Sequence, residues 1–233
     1  MKTKRITALF LIASMTFSIA SCSKGKGEDF AGILEDMGYE QLDEYDEDDI
    51  EDEMEDGFFL ITEDRKDIGD ILDIEGLGDI MDIKARDLSS AFLGARLCDG
   101  GMYQVYQFDF EDADTAEEAF ENMADNQLDG AEEARSYYDR DHFNYDEGDD
   151  YFTYAFSSSS IKYGDIWLDG NVINFIYGKF YYTNDAYDDF VDLFEAIDRD
   201  LPEELIKDRL TTQREHDDQI AAIVEEIDDA MEG

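Results

Sequence analysis

The sequence predicts an α+β protein, an antiparallel sheet built from hairpins with helices packed on one face, plus a C-terminal helix. Three observations carry this. Residues 89–110 and 151–182 each hold alternating apolar runs joined by an aspartate-glycine turn. Each block is followed by apolar residues spaced three or four apart, the helical period. Hydrophobic residues make up 43% of the 233, and aromatics 13%, enough for a sizeable core despite a formal charge of −45. One proline in the chain argues against long proline-rich linkers, and the length fits one domain, or one domain with an appended segment.

The first 21 residues read as a signal segment. Lys2, Lys4 and Arg5 form a positive start, residues 8–17 an apolar stretch too short to span a bilayer, and Ile19-Ala20-Ser21-Cys22 a lipobox. The pattern resembles that of bacterial lipoproteins. That resemblance implies cleavage before Cys22, a diacylglyceryl thioether on its sulfur, and a protein held on the extracytoplasmic face of the cell membrane. Ser18-Ile19-Ala20 also satisfies the rule for an ordinary secretory cut, which would release a soluble chain. Residues 23–27, Ser-Lys-Gly-Lys-Gly, read as a short tether whose lysines either attract anionic headgroups or simply keep it soluble. Removing the signal takes away three cations and no carboxylate, so −45 becomes −48.

Phe30, Ile33, Leu34 and Met37 make one stripe of a short helix, and Gly38 suits its end. Eleven of the fourteen residues 43–56 are carboxylates, which predicts a solvated loop or frayed helix. Residues 58–62 are strand-like, and the Ile-, Gly- and Asp-rich stretch to residue 85 shows no fixed period. Ala91, Leu93, Ala95 and Leu97 share a strand face, and Asp99-Gly100-Gly101 turns the chain into residues 102–110. Asp114-Thr115-Ala116-Glu117 has the capping-box pattern. The helix it opens carries Ala116, Ala119, Phe120, Met123 and Ala124 on one side.

A polar stretch follows. Phe152, Tyr154 and Phe156 then alternate, Ser157 to Ser160 make a turn, and residues 161–168 pass through Asp169-Gly170 into residues 172–182. Ala186, Phe190, Leu193, Phe194 and Ile197 mark a helix. Pro202 fits the first turn of a last helix carrying Leu205, Ile206, Ile220, Ile223, Val224 and Ile227. The chain thus divides into a signal (1–21), a lipidated tether with short helix and acidic segment (22–57), an α+β domain (58–200) and a C-terminal helix (201–233).

The lipobox, Asp29-Phe30 through Met37-Gly38-Tyr39, Phe108-Asp109-Phe110 leading into Ala116 to Phe120, and the Asp169-Gly170-Asn171-Val172 hairpin together resemble uncharacterised small lipoproteins of clostridia and related Gram-positive bacteria. That resemblance implies location and architecture and carries no activity. The chain departs from the group in its acidity and its extended C-terminal helix.

The charge opposes nucleic acid and favours cations or basic partners. No catalytic residue, cofactor or metal ligand is nominated, and the protein is read as a non-enzyme. Residues 43–48 and 139–144 lack the sixth-position glycine of a calcium loop. His142 and His216 are too few for a histidine-rich metal site. Cys98, left without a disulfide partner once Cys22 is acylated, reads as a packing residue. Gly-x-Ser-x-Gly, phosphate-loop and His-Glu-x-x-His motifs are missing. Tyr151, Tyr154, Trp167, Phe175, Tyr177, Tyr181 and Tyr182 could line a sugar or peptide surface, though strand aromatics more often fill a core. The expected function is an envelope binding module, engaging the membrane through Cys22 and a basic protein, peptide or carbohydrate partner. The alternatives are a carboxylate-dependent envelope hydrolase and an acidic cation-binding spacer.

Overall fold

A computed structural model describes residues 30–46, 50, 53–137, 143–157, 159–201 and 210–232. The expected α+β class forms. Ten strands are present among these residues, eight of them in one sheet of order β1-β2-β3-β4-β8-β7-β6-β5. These are β1 (Glu40–Leu42), β2 (Phe58–Thr62), β3 (Leu88–Cys98), β4 (Gly101–Phe110), β5 (Phe143–Glu147), β6 (Tyr151–Ser157), β7 (Ile161–Asp169) and β8 (Val172–Phe180). Every neighbouring pair is antiparallel except β1 with β2. Both aspartate-glycine turns close as expected: Cys98 faces Gly101 and Asp169 faces Val172, with Gly100 and Gly170 at positive φ of 101° and 65°.

The helices divide between both faces rather than lying on one. Helices α2 (Arg65–Asp73), α3 (Leu77–Met81) and α4 (Ala113–Tyr137) cover one side, and α1 (Phe30–Asp36) and α5 (Asp185–Ala196) the other. The reason is in the strands. Phe58-Phe59-Leu60 is apolar at successive positions, so Phe58 and Leu60 point into the first core while Phe59 points into the second. Residues 30–42 belong to this body, because Phe30, Leu34 and Tyr39 are buried in the second core and β1 extends the sheet.

The stretch without a fixed period holds two short helices and 3₁₀ turns, broken where Glu75 and Asp82 take positive φ. Helix α4 is capped two residues earlier than expected: the Asp112 carboxylate accepts from the Thr115 backbone N–H at 2.9 Å. The helix also runs thirteen residues beyond Ala124, and β5 follows where a polar connection was expected. Bonds from Ile50 to Asp46 and from Met54 to Ile50 make helical turns within the acidic run, and both apolar side chains pack on the first core.

Two glycines set how closely the second helical layer approaches. A Cβ on Gly94 would sit 2.5 Å from Leu34 Cδ1 of α1, and one on Gly178 would sit 2.9 Å from two ring atoms of Phe190 of α5. Phe190 then packs against Tyr103, Tyr163, Phe180 and Phe194, with ring centroids 4.9–5.9 Å apart.

Candidate functional site

Charged side chains enter the second core at two places. Arg96 on β3 pairs with Asp189 on α5, and the same carboxylate accepts from the Tyr39 hydroxyl at 2.9 Å. Tyr103 donates to the Tyr39 oxygen at 2.6 Å. Burial pushes both phenols well above the ordinary tyrosine range, and the neighbouring Tyr103 adds to the effect at Tyr39. The chain of donors therefore ends on a carboxylate that Arg96 already neutralises, and the phenols stay protonated. Such an arrangement ties α5 to the sheet.

The second cluster lies on β7. Asp165, 1% exposed, accepts from Arg199 Nε and Nη2 at 2.5 and 2.8 Å and from Thr153 Oγ1 at 2.7 Å. Arg199 also stacks 4.0 Å over the Trp167 ring. It follows the end of α5, where Asp198 takes a φ of 55° and redirects the chain. Of the eight residues in these two clusters, sequence reading singled out Trp167 alone, as a strand aromatic, and nominated none of the charged or hydroxyl partners. The available signal was a charge at an inward strand position, Arg96 in β3 and Asp165 in β7.

The aromatics singled out from the sequence do not form one face. Trp167, Phe175 and Tyr182 are buried, Tyr151, Tyr154 and Tyr177 are half-buried, and Tyr181 is exposed. Tyr154, Phe175 and Tyr177 also lie on the opposite side of the sheet from Tyr151 and Trp167. The seven therefore do not make one exposed binding face. Among the described residues, no group of three or more His, Cys, Asp or Glu side chains is arranged to hold a metal ion. Cys98 is a free, half-buried thiol packed on the second core, as its position suggested. Cys22, His142, Pro202, Leu205 and Ile206 lie outside the described residues.

The candidate site is the C-terminal helix α6 (Gln213–Glu232). It follows β10 (Thr211–Thr212), which pairs in parallel with β9 (Tyr182–Thr183). Thr212 and Glu215 cap it reciprocally: Glu215 N donates to Thr212 Oγ1 at 3.4 Å and Thr212 N to Glu215 Oε2 at 3.1 Å. His216 stacks on Tyr182 with centroids 4.3 Å apart, fixing the first turn to the body. Beyond it the helix is exposed on every side through Ile227. Ile220, Ile223, Val224 and Ile227 remain 49–52% exposed and Met231 74%. Their spacing puts them on one stripe, so a helix-long apolar face lies open to water. Of the eight large hydrophobics exposed among the described residues, five belong to this helix. No described helix is long and apolar enough to cross a membrane.

No family model matches the chain and no curated protein matches it. Among solved structures, the extracellular domain of PknH from Mycobacterium tuberculosis aligns at 10% identity and a TM-score of 0.33, over 48% of this chain and 66% of that one. The alignment spans just under two thirds of that domain, and at this level of likeness it assigns neither fold family nor activity.

Proposed function

We propose that this chain is a lipid-anchored protein of the extracytoplasmic cell envelope whose α+β body acts by binding rather than by catalysis. The lipobox Ile19-Ala20-Ser21-Cys22, behind its positive start and apolar stretch, is the observation that carries the reading. Acylation at Cys22 places two chains in the membrane, where one alone would hold only marginally. The mature chain's net charge of −48 lies on the body, which anionic headgroups repel, so the tether of residues 23–27 spaces it from the surface that holds it. The carboxylates that enter the second core, Asp165 and Asp189, are each matched by an arginine, which supports a structural rather than a chemical role for them. The exposed stripe of α6 supports an interaction role for the surface.

Metabolic labelling of the native host with a clickable palmitate analogue tests the anchor. The wild-type chain is expected to take the label and Cys22→Ser to lose it. Protease added to intact cells, stripped of wall where one is present, is expected to digest the body. A wild-type chain that stays unlabelled, or a body that survives alongside a cytoplasmic control, overturns the proposal.

A further inference from the structure

Helix α6 combines an open apolar stripe with a strongly one-signed polar surface. Residues 213–232 contain eight carboxylates and a single cation, Arg214. By helical spacing, Asp217 falls at one border of the stripe of Ile220, Ile223, Val224 and Ile227, and Glu226 toward the other. These are the positions that flank an apolar seam and choose the partner of a paired helix. We infer that the stripe docks a basic amphipathic helix of another protein, apolar face on apolar face, with lysines or arginines beside the α6 carboxylates. The inference rests on reading the body as a binding module, and it does not depend on the anchor.

Charge complementarity decides the occupant. A second copy of this chain would bring acidic borders against acidic borders, and its net charge opposes the approach of another copy. An anionic membrane is opposed for the same reason. A helix with cationic borders removes that repulsion while burying four half-exposed branched side chains and Met231. The core does not compete for the stripe, because α6 is held to the body at its first turn by the capping box, the Tyr182–His216 stack and the β9–β10 pair.

The test uses the mature chain from residue 22, carrying Cys22→Ser so that no acyl chain is present. The probe is a synthetic peptide of about three heptads with Leu at a and d and Lys at e and g. Calorimetric titration is expected to give saturable binding that weakens at least about tenfold in the double variant Ile223→Asp/Ile227→Asp. It should also weaken severalfold between about 50 and 200 mM salt. The same peptide with Glu at e and g should not bind. Both substitutions fall on exposed positions, and circular dichroism of the double variant checks that the body stays folded. No saturable binding below about 1 mM overturns the inference. So does Lys-peptide binding that ignores the double variant, which is counterion attraction to the acidic surface. Sedimentation equilibrium showing a wild-type dimer that the double variant abolishes would assign the stripe to a second copy instead. Peptide failure together with a fatty-acid-labelled Cys22 defeats this inference and leaves the anchor standing.

Discussion

Arg199 closes over Asp165 from beyond the end of helix α5, bonded through two guanidinium nitrogens to the two carboxylate oxygens. The partners are unequally sheltered. The Asp165 side chain is 2% exposed and the Arg199 side chain 24%. Arg199→Met strands a buried carboxylate with Thr153 as its remaining donor, at a cost of about 3–5 kcal/mol. Asp165→Asn leaves an arginine that can turn toward water and an amide that Thr153 still serves, costing about 1–2 kcal/mol. Urea denaturation of the two variants should reproduce that order. An equal or reversed pair of losses would show that the ion pair does not organise this corner as described.

Alkaline pH should unfold the protein cooperatively. Burial raises the Tyr39, Tyr103, Tyr106, Tyr154 and Tyr163 phenols well above their ordinary value of 10 and pushes Tyr177 up to about 12. Between pH 10 and the folded-state values, the unfolded chain releases these protons and the native chain keeps them. Native protein then binds more protons, so stability is complete below pH 10 and falls above it by about 1.4 kcal/mol per pH unit for each such tyrosine. The tyrosinate absorbance contributed by these six should therefore rise in the same step in which near-ultraviolet circular dichroism is lost, after the exposed tyrosines have ionised. Complete ionisation of all the tyrosines with retained dichroism would contradict the burial.

Gly178→Ala and Gly130→Ala should move stability in opposite directions. The new methyl at 178 would meet Phe180 at 2.6 Å and the Phe190 ring at 2.9 Å, which costs about 1–3 kcal/mol of repacking. Gly130 lies in α4 with nothing within 4 Å, so alanine there adds helix propensity worth up to about 1 kcal/mol. Thermal melts of both variants read the difference directly. A neutral Gly178→Ala would mean that α5 does not approach the sheet as closely as its rings require.

Removing residues 217–233 should change the stability of the body by less than about 0.5 kcal/mol. The described residues of α6 beyond His216 are exposed through Ile227, whereas Thr212, Glu215 and His216 make the junction. Deleting His216 as well should cost more, since the Tyr182 stack goes with it. If the shorter truncation lowers the urea midpoint substantially, the stripe is covered by the protein itself.

Much of this architecture was legible where local chemistry has one outcome. Asp99-Gly100 and Asp169-Gly170 make hairpins because glycine tolerates positive φ, and Gly38 ends α1 with a φ of 89° for the same reason. The stripe from Ala186 to Ile197 matches α5, whose Ala186, Phe190, Leu193 and Phe194 are buried. Residues 65–81 were opaque because their helices are short and are broken at Glu75, where an acidic residue in the left-handed region gives no periodic signal. Two-faced helical cover could have been foreseen from Phe58-Phe59-Leu60, whose unbroken apolar run suits a strand buried on both sides. The candidate site was half legible. Spacing identifies Ile220, Ile223, Val224 and Ile227 as a stripe, but periodicity is the same whether a stripe faces a core or faces water. That distinction needed the fold.

Anchoring is the central claim, and the mass of the mature N-terminal peptide isolated from the native host tests it most directly. The account predicts a chain beginning at Cys22 and heavier than its residues by at least a diacylglyceryl group. An unmodified peptide beginning at Ser21, or a chain retaining residues 1–21, would contradict it.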